Sequence, residues 1–239
     1  MEIDYTNIKV IGFDADDTLW VNETYYRAAE DEFAKLLSAY ETPNKINQEL
    51  FKKEMEDLHL YGYGIKSFVL SMLETSIEIS NNSISNNTIQ DIINIGKKMI
   101  NKPVELLDGA EEVLGFLSLK YRLIMATKGD LLDQERKLKK SGLTKYFHHI
   151  EVLSDKKETN YSQLLNHLDI HPSEFLMIGN SLKSDVLPLI NINAKAIHVP
   201  YHTTWEHEQV NEEETNGEIY NTVNSLTEIL ELLNYVKYP

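Results

Sequence analysis

The sequence predicts an α/β protein built on a doubly wound parallel sheet with an all-α helical module inserted into it. Three observations lead there. Short apolar runs rich in β-branched residues recur along the chain, the pieces between the later runs have helical spacing, and the first two runs are separated by residues 14–121. Alternating strands and helices imply parallel βαβ units with right-handed crossovers, and that first separation far exceeds what one crossover requires.

Taken in order, strand candidates lie at Lys9 to Phe13, Arg122 to Ala126, Ile150 to Leu153, Phe175 to Ile178 and Ala194 to Val199. Leu106 to Leu119 has apolar residues at helical spacing, and Leu131 to Gly142 ends in a Ser-Gly stop. Tyr161 to Leu168 and Val186 to Ile192 are short amphipathic stretches, and a tail helix is expected from Ser225 to Leu233. Inside the long separation, Tyr26, Ala29, Phe33, Leu36, Leu37 and Tyr40 form one helical stripe, and Leu50, Phe51, Met55 and Leu58 a second. A third runs through Phe68, Val69, Met72, Leu73 and Ile77, and a fourth through Ile89, Ile92, Ile93 and Ile100. The polar, turn-rich run Ser80 to Asn87 is expected to be the loop between the last two. The resulting division places residues 1–20 and 105–239 in the α/β core and 21–104 in the helical module.

Composition narrows the function. The chain of 239 residues is 42% hydrophobic and 26% charged, as an ordinary globular protein is. A formal charge of -15 argues against nucleic acid and anionic membranes as partners, since both are held by clustered Lys and Arg. An anionic substrate would need a local cation to overcome that background. There is no cysteine, which removes disulfides, zinc-thiolate sites and thiol catalysis. Met1-Glu-Ile-Asp opens without a basic region followed by an apolar run, and no apolar stretch approaches the ~18 residues of a membrane span. A cytoplasmic protein is the expectation.

In an open α/β sheet, ligands collect outside the carboxyl ends of the strands. The first four candidate ends carry polar residues of one chemical theme. Asp14, Asp16, Asp17 and Thr18 follow the first, Thr127 and Lys128 the second, and Ser154, Asp155, Lys156 and Lys157 the third; Gly179, Asn180, Ser181 and Asp185 follow the fourth. Converging carboxylates repel unless cations neutralise them. Oxygen ligands without His or Cys point to Mg²⁺, which takes one or two carboxylates, waters and a substrate phosphate oxygen. A carboxylate held in line with a phosphoryl group can form an aspartyl-phosphate, and a second carboxyl two residues on can protonate the leaving oxygen and then activate water. Asp14 and Asp16 suit those roles, with Thr127, Lys128 and Lys156 as candidate phosphate ligands.

The order Phe13-Asp14-Ala-Asp16-Asp17-Thr18, then Ala126-Thr127, then a strand-terminal lysine, then Gly179-Asn180-Ser181-Leu-Lys-Ser-Asp185 resembles the haloacid dehalogenase superfamily of phosphatases. The resemblance implies a Rossmann-like core with the helical insertion as its cap. It implies Asp14 as nucleophile, Asp16 as general acid and base, Thr127 as phosphate ligand and Lys156 as the charge-balancing lysine, with Lys157 the alternative. It further implies Mg²⁺ held by Asp14, the backbone carbonyl of Asp16 and Asp185, with Asn180 bonding a metal-bound water. Asp17 stands where many members have glycine, and Asn180 where many have aspartate.

The implied activity is Mg²⁺-dependent hydrolysis of a small phosphorylated metabolite. A phosphomutase on the same scaffold and a non-catalytic phospholigand-binding module are the alternatives, and a carbon-halogen hydrolase fits less well because that chemistry needs no metal and usually lacks a second aspartate such as Asp16. Each motif also has a plainer reading. An Asp-x-Asp can be a helix-capping turn, Thr127 a helix cap, and Asp185 a helix N-terminal charge. Tyr61-Gly62-Tyr63-Gly64-Ile65-Lys66 offers Tyr61, Tyr63 and Lys66 as substrate-reading side chains or is a plain turn. Trp20 packs at the hinge of the insertion or fills core. His148, His149, His202 and His207 lack ligand spacing and are expected to be loop or surface residues, and Glu212 to Glu214 a solvated loop.

Overall fold

The protein is described by a computed structural model covering residues 3–211, 215 and 217–234; the Glu212 to Glu214 run lies outside the described residues. The chain divides into two compact units, one of Met1–Glu23, Val104–Lys128 and Lys137–Pro239 and one of Thr24–Pro103 and Gly129–Arg136.

The second unit is helical, with α1 (Glu23–Leu36), α2 (Pro43–Tyr61), α3 (Ile65–Ile79) and α4 (Asn86–Asn101). Its core is made by one stripe from each helix: Ala29, Phe33 and Ala34 of α1, Ile46 and Leu50 of α2, Phe68 and Met72 of α3, and Ile92, Ile95 and Met99 of α4. Tyr40 falls beyond α1 and is exposed. The loop before α4 is shorter than its polar composition suggests. Ser85 accepts the Thr88 amide and caps the helix, which draws Asn86 and Asn87 into the first turn, while Asn81 and Asn82 take the left-handed backbone (φ 50° and 63°) that turns the chain. Gly129–Arg136 also belongs to this unit, where the sequence reading assigned it to the core domain. Lys66 Nζ lies 2.7 Å from Asp130 Oδ2, and a Cβ on Gly64 would stand 3.1 Å from the Asp130 amide nitrogen.

The first unit is the sheet unit. Among the described residues it has strands β1 (Val10–Phe13), β2 (Arg122–Lys128), β3 (His149–Leu153), β4 (Phe175–Gly179), β5 (Lys195–His198) and β6 (Asn221–Thr222), all parallel, in the order β3-β2-β1-β4-β5-β6. The period of two along each strand feeds two separate cores. Ile11, Phe13, Leu123, Met125, Leu176 and Ile178 face Val113, Leu114 and Leu117 of α5 (Ala110–Leu117) and the C-terminal helix Glu228–Leu232. Val10, Ile124, Ala126, Phe175 and Met177 face the other way, toward Tyr161, Leu164 and Leu165.

The segment Leu131–Ser141 is α6, Glu158–His167 is α7, Leu187–Asn191 is α8 and Glu228–Leu232 is α9. A π-turn, Leu182–Val186, precedes α8. Two-residue β6 escaped the sequence reading because its polar Asn-Thr carries no apolar run. No helix among the described residues is long and apolar enough to cross a membrane.

Candidate active site

Strand order reverses between β1 and β4, which makes the carboxyl ends of those strands the topological switch point where open α/β sheets bind ligands. Asp14 leaves β1 there, its amide bonded to the Ile178 carbonyl of β4. Lys156, three residues past β3, reaches into the same place. Its ammonium is 2.5 Å from Asp14 Oδ1 and 2.6 Å from Asp185 Oδ1, and all three side chains are buried. Lys157 is exposed and pairs with Asp155, so Lys156 is the lysine that meets the carboxylates.

Asp185 is positioned by its own turn. The Ser181 amide donates to Asp185 Oδ2 at 3.1 Å, and the Asp185 amide donates to the Ser181 carbonyl at 2.8 Å. Gly179 leaves room for the carboxylate: a Cβ there would stand 2.4 Å from Asp185 Cγ and Oδ2. Thr18 ties the two strand ends together, with its Oγ1 3.1 Å from Asp14 Oδ2 and 3.3 Å from Asn180 Oδ1, and it accepts the Asn180 amide at 3.1 Å.

The electrostatics follow from burial. Removal from water raises the Asp14 carboxyl above the usual carboxylate range, Lys156 opposing and Asp185 adding to the shift. Burial works against the Lys156 ammonium, yet Asp14 and Asp185 overcome it and hold its pKa well above the usual lysine value. One positive charge serves two buried carboxylates, and a divalent cation would reverse that balance in favour of a phosphate dianion. Both carboxylates converge on a single nitrogen and the donors are hard oxygens, which fits Mg²⁺. Among the described residues there is no group of three or more His, Cys, Asp or Glu arranged to hold a metal; the set offers the two carboxylates that Mg²⁺ commonly takes.

Asp16 is held elsewhere in the same unit. Its Oδ1 accepts from the Trp20 indole and from the Lys137 ammonium, both at 2.6 Å, and Lys137 also reaches Asn22 Oδ1 at 3.3 Å. Trp20, fully buried, thus both fills core and orients Asp16. Asp17 lies in the left-handed region (φ 61°), and its carboxylate accepts from the Asn22 and Glu23 amides at the start of α1. Burial pushes its carboxyl up to about 7 against those two bonds.

Thr127, at the end of β2, is buried with Oγ1 3.2 Å from the Lys128 carbonyl. Lys128 Nζ meets Glu208 Oε1 at 2.5 Å and Ser184 Oγ at 2.9 Å. Tyr61 donates to Glu74 Oε1 at 2.8 Å within the helical unit, where Lys66 pairs with Asp130.

A family model described as a haloacid dehalogenase-like hydrolase matches residues 8–193. The chain belongs to that family. A solved haloacid dehalogenase-like family hydrolase from Xanthomonas campestris is similar at 35% identity and a TM-score of 0.85, over 98% of this chain and 94% of that one. Human N-acylneuraminate-9-phosphatase is 23% identical over 202 residues, 80% of this chain and 82% of the relative. A 2-haloacid dehalogenase from Pseudomonas syringae, 16% identical with a TM-score of 0.62 over 95% of this chain and 98% of that one, shares the fold.

Several residues around this hydrolase site went unread in the sequence. Lys137 and Glu208 are charged residues on an ordinary polar helix and in a loop, and no spacing marks them. His198, half-buried at the end of β5, donates through Nε2 to the Asn180 carbonyl at 3.0 Å. Of the four histidines noted in the sequence, His149 pairs with Glu151, His202 lies against Tyr201 and His148 is exposed, while His207 lies against Trp205 beside Glu208, its carbonyl accepting the Lys183 ammonium at 2.7 Å.

Proposed function

We propose that this hydrolase is a Mg²⁺-dependent phosphatase that cleaves a small phosphate monoester through an aspartyl-phosphate on Asp14. The observation that carries the reading is the buried Lys156 ammonium shared by Asp14 and Asp185 at the switch point of the sheet. Hydrolases of this family generally use Mg²⁺, and the human relative is a phosphatase.

In the proposed reaction Asp14 Oδ attacks phosphorus while the bond from phosphorus to the ester oxygen breaks, and Asp16 gives a proton to the departing alcohol. Water then attacks the same phosphorus, Asp16 takes its proton, and the bond from Asp14 to phosphorus breaks to release phosphate. Lys156 and the Thr127 hydroxyl offset charge on the phosphoryl oxygens. Asp14, the Asp16 backbone carbonyl and Asp185 would hold Mg²⁺, with Asn180 beside them, and the bound ion would supply positive charge to the phosphoryl group. Trp20 and Lys137 orient Asp16. The helical unit acts as the cap that selects substrate, with Tyr61, Tyr63 and Lys66 as the side chains that read it.

The test is phosphate release from a panel of phosphorylated metabolites, a 9-phosphorylated N-acylneuraminate among them, with Mg²⁺ and with EDTA. Turnover should require Mg²⁺ and vanish in Asp14→Asn. Equal release by wild type and Asp14→Asn would overturn the nucleophile assignment, and absence of turnover throughout would favour a binding module.

A further inference from the structure

Behind the carboxylates lies a second polar cluster that the reaction above does not use. Glu208 sits in a short 3₁₀ turn, Glu206–Glu208, in the chain that follows β5. Its side chain is nearly buried, and both oxygens are engaged. Oε1 takes the Lys128 ammonium at 2.5 Å, and Oε2 takes the Ser181 hydroxyl at 2.5 Å and the Ser184 hydroxyl at 2.6 Å. Lys128 closes the ring by donating to Ser184 Oγ at 2.9 Å. A single carboxylate therefore joins the end of β2 to the turn after β4.

That turn carries Asp185. Ser181 uses its hydroxyl on Glu208 and its amide on Asp185 Oδ2, and its Oγ also accepts the Ser184 amide at 3.0 Å. Tyr161 fixes the same turn from α7 by donating to the Ser184 carbonyl at 2.9 Å. We propose that Glu208 is a positioning residue for the metal site: through Ser181 and Ser184 it locks the turn that aims Asp185, and it holds Lys128 away from the carboxylates. The proposal rests on the Mg²⁺ reading of the site.

The chemistry supports the assignment. Lys128 follows Thr127 directly, and an ammonium released from Glu208 would compete with a divalent ion for Asp185 or Asp14. Burial acts to neutralise Glu208, yet Lys128 and the two serine hydroxyls hold its carboxyl down at about 2, so it stays charged throughout the neutral range. Groups that orient a metal ligand from behind typically change affinity or activity ~10- to 100-fold when removed.

The experiment is a Mn²⁺ titration followed by electron paramagnetic resonance on the substrate-free full chain, with Mg²⁺ as competitor, for wild type, Glu208→Gln, Ser181→Ala and Asp14→Asn. Steady-state kinetics run alongside. Glu208→Gln should weaken Mn²⁺ about tenfold or more and raise the Mg²⁺ needed for half-maximal rate, while KM for the phosphate ester at saturating Mg²⁺ changes little. Ser181→Ala, which removes one hydroxyl and leaves the ion pair, should shift Mn²⁺ affinity in the same direction by a smaller factor. Mn²⁺ affinity equal to wild type in both variants overturns the positioning role, even if Glu208→Gln melts earlier. Wild type that binds no Mn²⁺ overturns the Mg²⁺ reading and this proposal with it, and loss of binding in Asp14→Asn with retention in Glu208→Gln overturns only the proposal.

Discussion

Gly179→Ala tests the geometry at the centre of the site. The added methyl would lie 2.4 Å from Asp185 Cγ and Oδ2 and 2.6 Å from Asp185 Cβ, where ordinary carbon contacts are ~3.5–4.0 Å. Asp185 must therefore move by about 1 Å. It has nowhere nearby to go, because it is buried, bonded to Lys156 at 2.6 Å and to the Ser181 amide at 3.1 Å. Overpacking of this kind costs ~1–3 kcal/mol, which lowers Tm by about 2–4 °C per kcal/mol in a chain of this size. The catalytic loss should be larger in proportion, since a 1 Å misplacement in a site can cost ~10²-fold in rate. Gly96→Ala is the control: its methyl would meet Val69 Cγ2 at 2.3 Å in the helical unit, far in sequence from every carboxylate of the site. Thermal melts and kcat at saturating Mg²⁺ separate the two. Loss of turnover in Gly179→Ala beyond its folded fraction, with turnover kept in Gly96→Ala, is expected. Wild-type kcat in Gly179→Ala would refute the claim that Asp185 needs the room that glycine leaves.

Lys156→Met leaves two buried carboxylates without their shared cation and should cost ~3–5 kcal/mol in urea unfolding at pH 7 without metal, a loss that Mg²⁺ partly restores; an unchanged midpoint would contradict the ion-pair geometry. Asp17→Ala should destabilise more than Asp17→Gly by about 1 kcal/mol, because both lose the bonds to the Asn22 and Glu23 amides but only alanine keeps the strain of φ 61°; equal unfolding midpoints would show that the backbone stores no strain there. For Glu208, whose carboxyl is depressed to about 2 from the usual 4.5, the stabilising contribution is full above about 4.5 and lost as pH falls through about 2. The unfolding gap between wild type and Glu208→Gln should accordingly be largest near neutrality and narrow between pH 4.5 and 2.5, and a gap that widens on acidification would refute the pairing with Lys128.

The sheet was legible because its strands are nearly all apolar. Ile11 and Phe13 serve one core and Val10 the other, so β1 reads as a continuous hydrophobic run, as strands covered on both faces do. The helices were legible as stripes but not at their ends. Leu106 to Leu119 shrinks to Ala110–Leu117 because Gly109 takes the left-handed backbone (φ 81°) that opens the helix, and Val186 to Ile192 begins as a π-turn because Asp185 is drawn back onto Ser181. In the site, residues that follow a strand directly could be found by position, whereas Lys137 and Glu208 arrive from a helix and a loop by tertiary folding. Local sequence contains no record of such arrivals. Lys128 shows the opposite case: its position at the end of β2 suggested phosphate, and its ammonium is engaged by Glu208 and Ser184.

The two departures from the commonest family pattern become intelligible once the backbone is seen. The position of Asp17 requires a left-handed residue, which explains glycine in many members. Aspartate is among the few other residues that tolerate it, and here its carboxylate caps α1 by accepting the Asn22 and Glu23 amides, an interaction glycine cannot make. Asn180 replaces a charge with an amide whose Oδ1 lies 3.3 Å from Thr18 Oγ1, while its amide nitrogen donates to that same hydroxyl. The site thereby keeps its hydrogen-bonded link between β1 and β4 with one fewer negative charge. Lys156 already serves two carboxylates, and a third beside them would have to be neutralised by protonation or by the metal alone.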